Sequence, residues 1–187
     1  MSLSAVLLAG GESTRMGRDK ATLEWRGLPL WACQFEKLRA LTSNIFVSAR
    51  FAVPWRPADV KLVIDESPSR GPLSGLTASL AIMETDCLLV LAVDMPFITL
   101  SHLKKLCDWA QPGVGAVPVV NGRVEPLAAV YPKRAESIFA DALSGTDHSL
   151  QQLVRRLTGL ELVREIPIAG DAGRFYRSIN YPADVQP

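Results

Sequence analysis

Three apolar runs in this 187-residue chain stop at residues that could do chemistry. Ala5-Val6-Leu7-Leu8-Ala9 stops at Gly10-Gly11, and the polar stretch after it carries Arg15 and Lys20. Leu62-Val63-Ile64 stops at Asp65. The most hydrophobic run, Leu88 to Val93, stops at Asp94-Met95-Pro96. Paired glycines remove side chains, so backbone N–H groups can come close to an anion. Arg15 and Lys20 add fixed positive charge, which completes the parts needed to hold a triphosphate. A carboxylate at the tip of a buried strand, as at Asp94, suits a magnesium ion shared with phosphate oxygens. An aspartate that only caps the turn before Pro96 accounts for the same residue.

Two common phosphate loops are excluded by spacing. Gly17 is followed by Arg18 and not by Lys-Ser/Thr, so the Walker pattern fails. Gly10-Gly11 followed only by Gly17 does not make Gly-x-Gly-x-x-Gly. From composition alone, a polar loop with two turn glycines explains Gly10 to Lys20 equally well. His102 and His148 are the only histidines, and neither falls near these residues, so no general base is assigned to them. Arg155-Arg156 reads as a solvated helix face. Trp25, Trp31, Trp55 and Trp109 read as scattered packing residues.

The elements that must position these groups follow from hydrophobic period. Ala5–Ala9, 45–47, 62–64 and 88–93 read as short buried strands. Pro29 to Leu41 has helical spacing in Leu30, Phe35, Leu38 and Leu41, with Pro29 in the first turn. Further helices are expected over 73–84, after a Thr99 cap, over 133–144, and over 149–157 with Ser149 and Gln152 as a capping box. Asn121-Gly122 predicts a hairpin between strands 115–120 and 124–131, the second with an irregular start at Pro126. Strands are also expected over 160–168 and, briefly, at 178–180. Strands alternating with helices imply an α/β fold with a mostly parallel sheet flanked by helices. Ligands bind such sheets beyond the carboxyl ends of the strands, which is where the Gly10 loop, Asp65 and Asp94 fall.

Bulk properties agree with one domain over 1–187, with no linker and no repeat. Hydrophobic residues are 48% and charged residues 21%, enough for a core and against wholesale disorder. The net charge of +1 gives no field for nucleic acid or an anionic membrane. Cys33, Cys87 and Cys107 lack zinc or redox spacing and read as small hydrophobes in a reducing compartment. The first apolar run is too short for a signal peptide or a membrane span, so a cytoplasmic protein is expected.

The string Leu8-Ala9-Gly10-Gly11-Glu12-Ser13-Thr14-Arg15-Met16-Gly17-Arg18-Asp19-Lys20 closely resembles the signature loop of nucleotidyltransferases with a Rossmann-like, glycosyltransferase-A-type fold. Within that group it is most similar to the molybdenum cofactor guanylyltransferases. Leu23, Gly27, Pro29-Leu30, Gly71-Pro72-Leu73-Ser74-Gly75, Asp94-Met95-Pro96-Phe97 and Ile179-Asn180-Tyr181-Pro182 extend the resemblance through almost the whole chain. It implies that the backbone of Leu8, Ala9 and Gly10 meets the guanine and ribose. Gly11 to Arg15 would wrap the phosphates, and Lys20 would neutralise charge on the pyrophosphate leaving group. Asp94 would hold Mg²⁺. Asp65 would be the acidic residue of the nucleotide site, with Glu66 next to it as the alternative, and Ser48 would stand where relatives carry an asparagine. Asn180 would be a further metal or substrate contact, with a turn-forming asparagine before Tyr181-Pro182 as the alternative, and Glu125-Pro126 would lie on the acceptor side. The implied reaction transfers GMP from GTP to the phosphate of molybdopterin or molybdenum cofactor, with molybdoenzymes or cofactor-insertion proteins as further partners. The alternatives are a related cytidylyltransferase, acting on molybdopterin, a sugar phosphate or choline phosphate, and a non-catalytic nucleotide or cofactor carrier.

Overall fold

Every apolar run of the first half becomes a strand of one sheet. The computed structural model describes residues 1–10, 19–65 and 68–179. Strands β1 (Leu3–Leu8), β4 (Ile45–Ala49), β5 (Lys61–Ile64) and β6 (Cys87–Ala92) run parallel in the order β6-β1-β4-β5. Between β1 and β4 the chain makes a short antiparallel ribbon, β2 (Glu24–Trp25) with β3 (Leu28–Pro29), and helix α1 (Leu30–Arg39). Pro29 sits at the cap of α1 and not in its first turn. Helix α2 (Pro72–Ile82) connects β5 to β6, and α3 (Leu100–Trp109) follows β6.

The second half adds the antiparallel part. β7 (Gly115–Val120) turns through Asn121-Gly122 into β8 (Arg123–Val124). Both turn residues have positive φ, 50° and 75°, as a two-residue hairpin of the strand-matching type requires. The expected strand over 124–131 is broken. After Pro126 a separate strand, β9 (Ala128–Pro132), inserts antiparallel between β6 and β7. Pro126 has no N–H for a ladder, and its carbonyl accepts instead from the Tyr131 hydroxyl at 2.9 Å. Helices α4 (Glu136–Ser144) and α5 (Leu150–Gly159) precede β10 (Val163–Pro167), which lies parallel to β7 at the sheet edge. Residues 178 and 179 form no strand, contrary to expectation.

Strand period 2 sorts the core into two layers. Ala5 and Leu7 of β1 and Cys87, Leu89 and Leu91 of β6 face α1 and α3, through Leu30, Phe35, Leu38, Leu103 and Leu106. Val6, Leu8, Leu88 and Val90 face α2, α4 and α5, through Leu73, Leu76, Leu80, Phe139, Leu153 and Leu157. Burying each such side chain contributes about 1.5–3 kcal/mol. β1 and β6, covered on both faces, form a stiff centre whose carboxyl ends hold the adjoining turns in place. Thr99 and Ser149 cap α3 and α5 through their side chains, accepting from the N–H groups of His102 and Gln152. The expected capping box is not closed, because Ser149 N–H donates to Asp147 Oδ1 at 2.9 Å and not to Gln152.

Candidate active site at the carboxyl ends of the parallel strands

β1 connects to β4 on one side, while β6 lies on its other side. Chain paths therefore diverge at its carboxyl end and leave a crevice there. The backbone spans that point. Val93 N–H donates to Leu8 O at 3.0 Å, and Ala9 N–H donates to Ser48 O at 2.8 Å. One carbonyl and one N–H expected to meet the base are thus already engaged by neighbouring strands.

Lys20 and Asp94 come together in the crevice, Nζ to Oδ2 at 3.4 Å, with each side chain about a quarter exposed. Lys20 opens a one-turn 3-10 helix, Lys20–Thr22. Asp19 caps it by accepting from Ala21 N–H at 3.0 Å, and its other oxygen accepts from Trp55 Nε1 at 3.0 Å. Ala21 is fully buried, so the turn is anchored from below. The Lys20 ammonium also donates to Ile179 O at 3.1 Å. Ile179 N–H in turn donates to Asp94 O at 2.7 Å. Burial pushes the Asp94 carboxyl above the usual carboxylate range, and Lys20 offsets only part of that rise.

Sequence reasoning missed what holds the Asp94 turn. Gln34 Nε2 donates to Ala92 O at 3.2 Å, and Lys37 Nζ donates to Pro96 O at 2.9 Å. Gln34 is fully buried. The signal was present, because Leu30, Gln34 and Leu38 share one helical stripe and a polar residue there needs a partner.

A second acidic centre lies across β1. Ser48 Oγ donates to Asp65 Oδ1 at 3.0 Å, and Ser69 Oγ to Asp65 Oδ2 at 3.4 Å. Burial raises the Asp65 carboxyl, and the two hydroxyls and the Arg50 charge offset part of it. Two glycines make room for this centre. A Cβ on Gly75 would land on Ser48 Oγ, and one on Gly10 would come to 3.0 Å from Asp65 Oδ2. Gly10, Ser48 and Asp65 are therefore brought together, with the first turns of α2 closing over them.

The remaining expectations divide. Gly11, Arg15, Glu66 and Asn180 lie outside the described residues. Glu125 is half-buried, and burial raises its carboxyl. His102 is structural, not exposed, with its ring against Phe175 at 4.5 Å and Nδ1 2.7 Å from Thr99 Oγ1. The tryptophans are packing residues as expected, Trp25 in the core and Trp31, Trp55 and Trp109 against it. Trp31 and Trp55 stack at 5.3 Å, and Trp25 meets Phe97 edge-on at 4.9 Å. Cys87 is buried as expected, whereas Cys33 and Cys107 are only partly so.

Among the described residues no cluster of three metal-ligating side chains exists. Among the described residues Asp94 offers the one hard, partly accessible carboxylate at the tips of the parallel strands. That fits an ion such as Mg²⁺, which takes one or two carboxylates and leaves its other positions to water and phosphate.

A mostly parallel, helix-covered sheet with a lysine–aspartate pair and a serine–aspartate pair at its strand ends has the build of an α/β nucleotidyltransferase. Residues 5–161 match the family described as MobA-like NTP transferase domain, and the chain belongs to that family. A molybdenum cofactor guanylyltransferase of Pseudomonas fluorescens is 37% identical, over 85% of this chain and 82% of its own. Molybdopterin-guanine dinucleotide biosynthesis protein A of Archaeoglobus fulgidus superposes with a TM-score of 0.76 at 23% identity, covering 98% of this chain and 95% of its own. The 2-C-methyl-D-erythritol 4-phosphate cytidylyltransferase of Thermus thermophilus does so at 0.72 and 19%, covering 99% and 96%. Both show the fold.

Proposed function

We propose that this chain transfers GMP from GTP to the phosphate of molybdopterin or its molybdenum-loaded form, releasing pyrophosphate. The observation that carries the reading is the Lys20–Asp94 pair at the β1/β6 crevice, with the Ser48–Asp65 pair beside it. An acceptor phosphate oxygen forms a bond to the α-phosphorus of GTP, and the bond from that phosphorus to the bridging oxygen breaks. The electron pair leaves on pyrophosphate. A phosphate dianion needs no general base, which agrees with a site whose described residues offer no histidine. Catalysis rests on alignment and on charge neutralisation.

Lys20, released from Asp94, sits on the triphosphate and stabilises charge as it moves to the leaving group. Arg15 and Gly11 belong to the same phosphate loop in this reading. Asp94 holds Mg²⁺, which when bound supplies Lewis-acid neutralisation of phosphate oxygens. Gly10, with the backbone of Leu8 and Ala9, lines the base and ribose region. Asp65 reads the base. A carboxylate has about four acceptor positions, and among the described residues the side chains of Ser48 and Ser69 occupy two of them. The two left suit the adjacent N1–H and amino donors of guanine, whereas cytosine presents a single amino group.

The reading takes residues 1–187 as one domain acting in the cytoplasm, where GTP is available, and passing product to molybdoenzymes or cofactor-insertion proteins. One sheet gathers all the main strands, and among the described residues no helix is long and apolar enough to cross a membrane. The test is incubation with molybdopterin, Mg²⁺ and GTP or CTP in competition, followed by mass analysis. The guanine dinucleotide is the expected product. A cytosine dinucleotide would move the assignment to the cytidylyl branch, and GTP binding with no pyrophosphate release would make the chain a carrier.

A further inference from the structure

Away from the base centre, on the α1 and α3 side, a cleft of about 540 Å³ opens between the β2–β3 ribbon, the turn after β6 and the C-terminal end of the 3-10 helix Gly170–Tyr176 with Arg177 at its cap. Its polar lining is almost entirely cationic. Arg26, Lys37, Arg174 and Arg177 line it, and among the described residues no carboxylate does. The chain as a whole carries a net charge of only +1. The nearest counter-charges are marginal. Asp171 reaches Arg174 at 3.9 Å from an almost fully exposed position, and Glu36 lines only the adjoining hollow of about 390 Å³. Lys37 is held without any acid, donating to Gln34 Oε1 at 2.7 Å and to Pro96 O.

The apolar lining is aromatic and is paired with those cations. The Arg26 guanidinium lies 5.5 Å from the Trp25 ring centre, Arg177 lies 5.5 Å from Phe97, and Arg174 lies 5.1 Å from Phe175. Guanidinium forks match phosphate oxygens, and their planes and the rings accept a flat heterocycle. The volume is that of a small-molecule site. We propose that this cleft binds a phosphate monoester of a flat heteroaromatic ring, at a site separate from the Lys20–Asp94 centre.

The cleft shares backbone with that centre. Phe97 follows Asp94 in one turn, and Arg177 lies just before Ile179, which bonds both Lys20 and Asp94. The ligand chemistry is read from the cleft itself. Two sources carry it, a guanine nucleotide or a phosphorylated pterin, and naming the pterin rests on the acceptor proposed above.

The test titrates the full chain with GMP, and separately with 6-hydroxymethylpterin phosphate, following tryptophan emission. Mg²⁺ and saturating α,β-methylene-GTP occupy the nucleotide site throughout. Saturable quenching in the micromolar range is expected from one probe, and which probe binds identifies the source. Trp25→Phe should remove most of the signal. The exposed pair Arg26→Gln/Arg177→Gln should weaken the probe at least tenfold and leave affinity for the GTP analogue unchanged. Binding by neither probe below millimolar, binding undiminished in the double variant, or equal competition by inorganic phosphate alone would overturn the proposal. Failure of the GTP analogue to bind would count against the guanylyl-transfer reading and leave the cleft titration valid.

Discussion

Gly75→Ala is a substitution for which two effects oppose each other and the geometry decides between them. Gly75 has helical backbone near the start of α2, where alanine ordinarily stabilises by about 1 kcal/mol. Here the added Cβ lands on Ser48 Oγ and comes to 3.2 Å from both Asp65 Oδ1 and Leu8 Cδ2. Ser48 is 1% exposed and Asp65 8%, so neither can swing into water. If the hydroxyl rotates away, Asp65 loses a charge-assisted bond worth about 1.5–3 kcal/mol. If it stays, helix α2 must lift, an overpacking cost of about 1–3 kcal/mol. Less the helical gain, the net loss is roughly 0.5–2 kcal/mol if the hydroxyl rotates and roughly 0–2 kcal/mol if the helix lifts, a fall in melting temperature of up to about 8 °C for a chain of this size. Thermal unfolding measures it, and Ser48→Ala supplies the control. Without Oγ the severe clash is gone and only the two 3.2 Å contacts remain, which the helical gain offsets, so the double variant should melt no lower than Ser48→Ala alone, a favourable coupling of about 1–3 kcal/mol. A Gly75→Ala variant that gains the full helical increment and melts above wild type, or a double variant in which the two effects simply add, would refute the reasoning.

Asp94→Ala should reduce pyrophosphate release at least a hundredfold, roughly the 3 kcal/mol of a lost charge-stabilising contact. Its melting temperature should stay within a few degrees, because the partly exposed pair with Lys20 contributes under about 1 kcal/mol and the raised carboxyl is itself costly to bury. Asp65→Asn should cut the preference for GTP over CTP by about 10–100-fold, the worth of a bond to a charged group, as read by competitive incorporation. Lys37 is lowered from 10.5 to about 8, chiefly by burial. Between those values the unfolded chain binds the proton and the folded chain does not, so stability rises as pH climbs through that window. Denaturant unfolding of wild type against Lys37→Met should show this increment, about 1–2 kcal/mol after solvent screening, only in the wild type.

Local pattern revealed the parts of this fold that are locally determined. Short apolar runs ending in glycine or aspartate gave β1, β5 and β6 and placed Asp65 and Asp94 at their tips. Thr99 and Ser149 were readable as caps because a cap depends on residues three apart. Strand order was another matter. Nothing local tells β9 to enter between β6 and β7, since that pairing is a contact of distant segments. Pro126 signalled irregularity but not that the strand would end and restart. The polar groups steadying the Asp94 turn come from α1, far away in sequence, and the carbonyl meeting Lys20 comes from Ile179. A backbone carbonyl has no side-chain identity, so no residue pattern can announce it. The cationic cleft was hidden for the same reason, because Arg26 and Arg177 sit at opposite ends of the chain.

The two carboxylates at the strand tips share one perturbation and differ in what offsets it. Burial raises both. Around Asp65 the compensating groups include two hydroxyls, which donate hydrogen bonds and leave the negative charge intact. Such a group keeps acceptor positions aimed at neutral donors, which is what reading a base requires. Beside Asp94 the compensating group is an ammonium, so the pair is nearly neutral before any ligand arrives. That pair is only partly buried and its contact is long, at 3.4 Å, so separating it costs little. In the proposed reaction a triphosphate with its cation gives each partner a better counter-charge, with Lys20 moving to phosphate and Asp94 to the metal. Exchanging the offsetting groups would therefore impair both tasks. A lysine against Asp65 would neutralise the carboxylate proposed to read the base, and a serine in place of Lys20 would leave the partly buried Asp94 without its ammonium partner and the proposed leaving group without that charge.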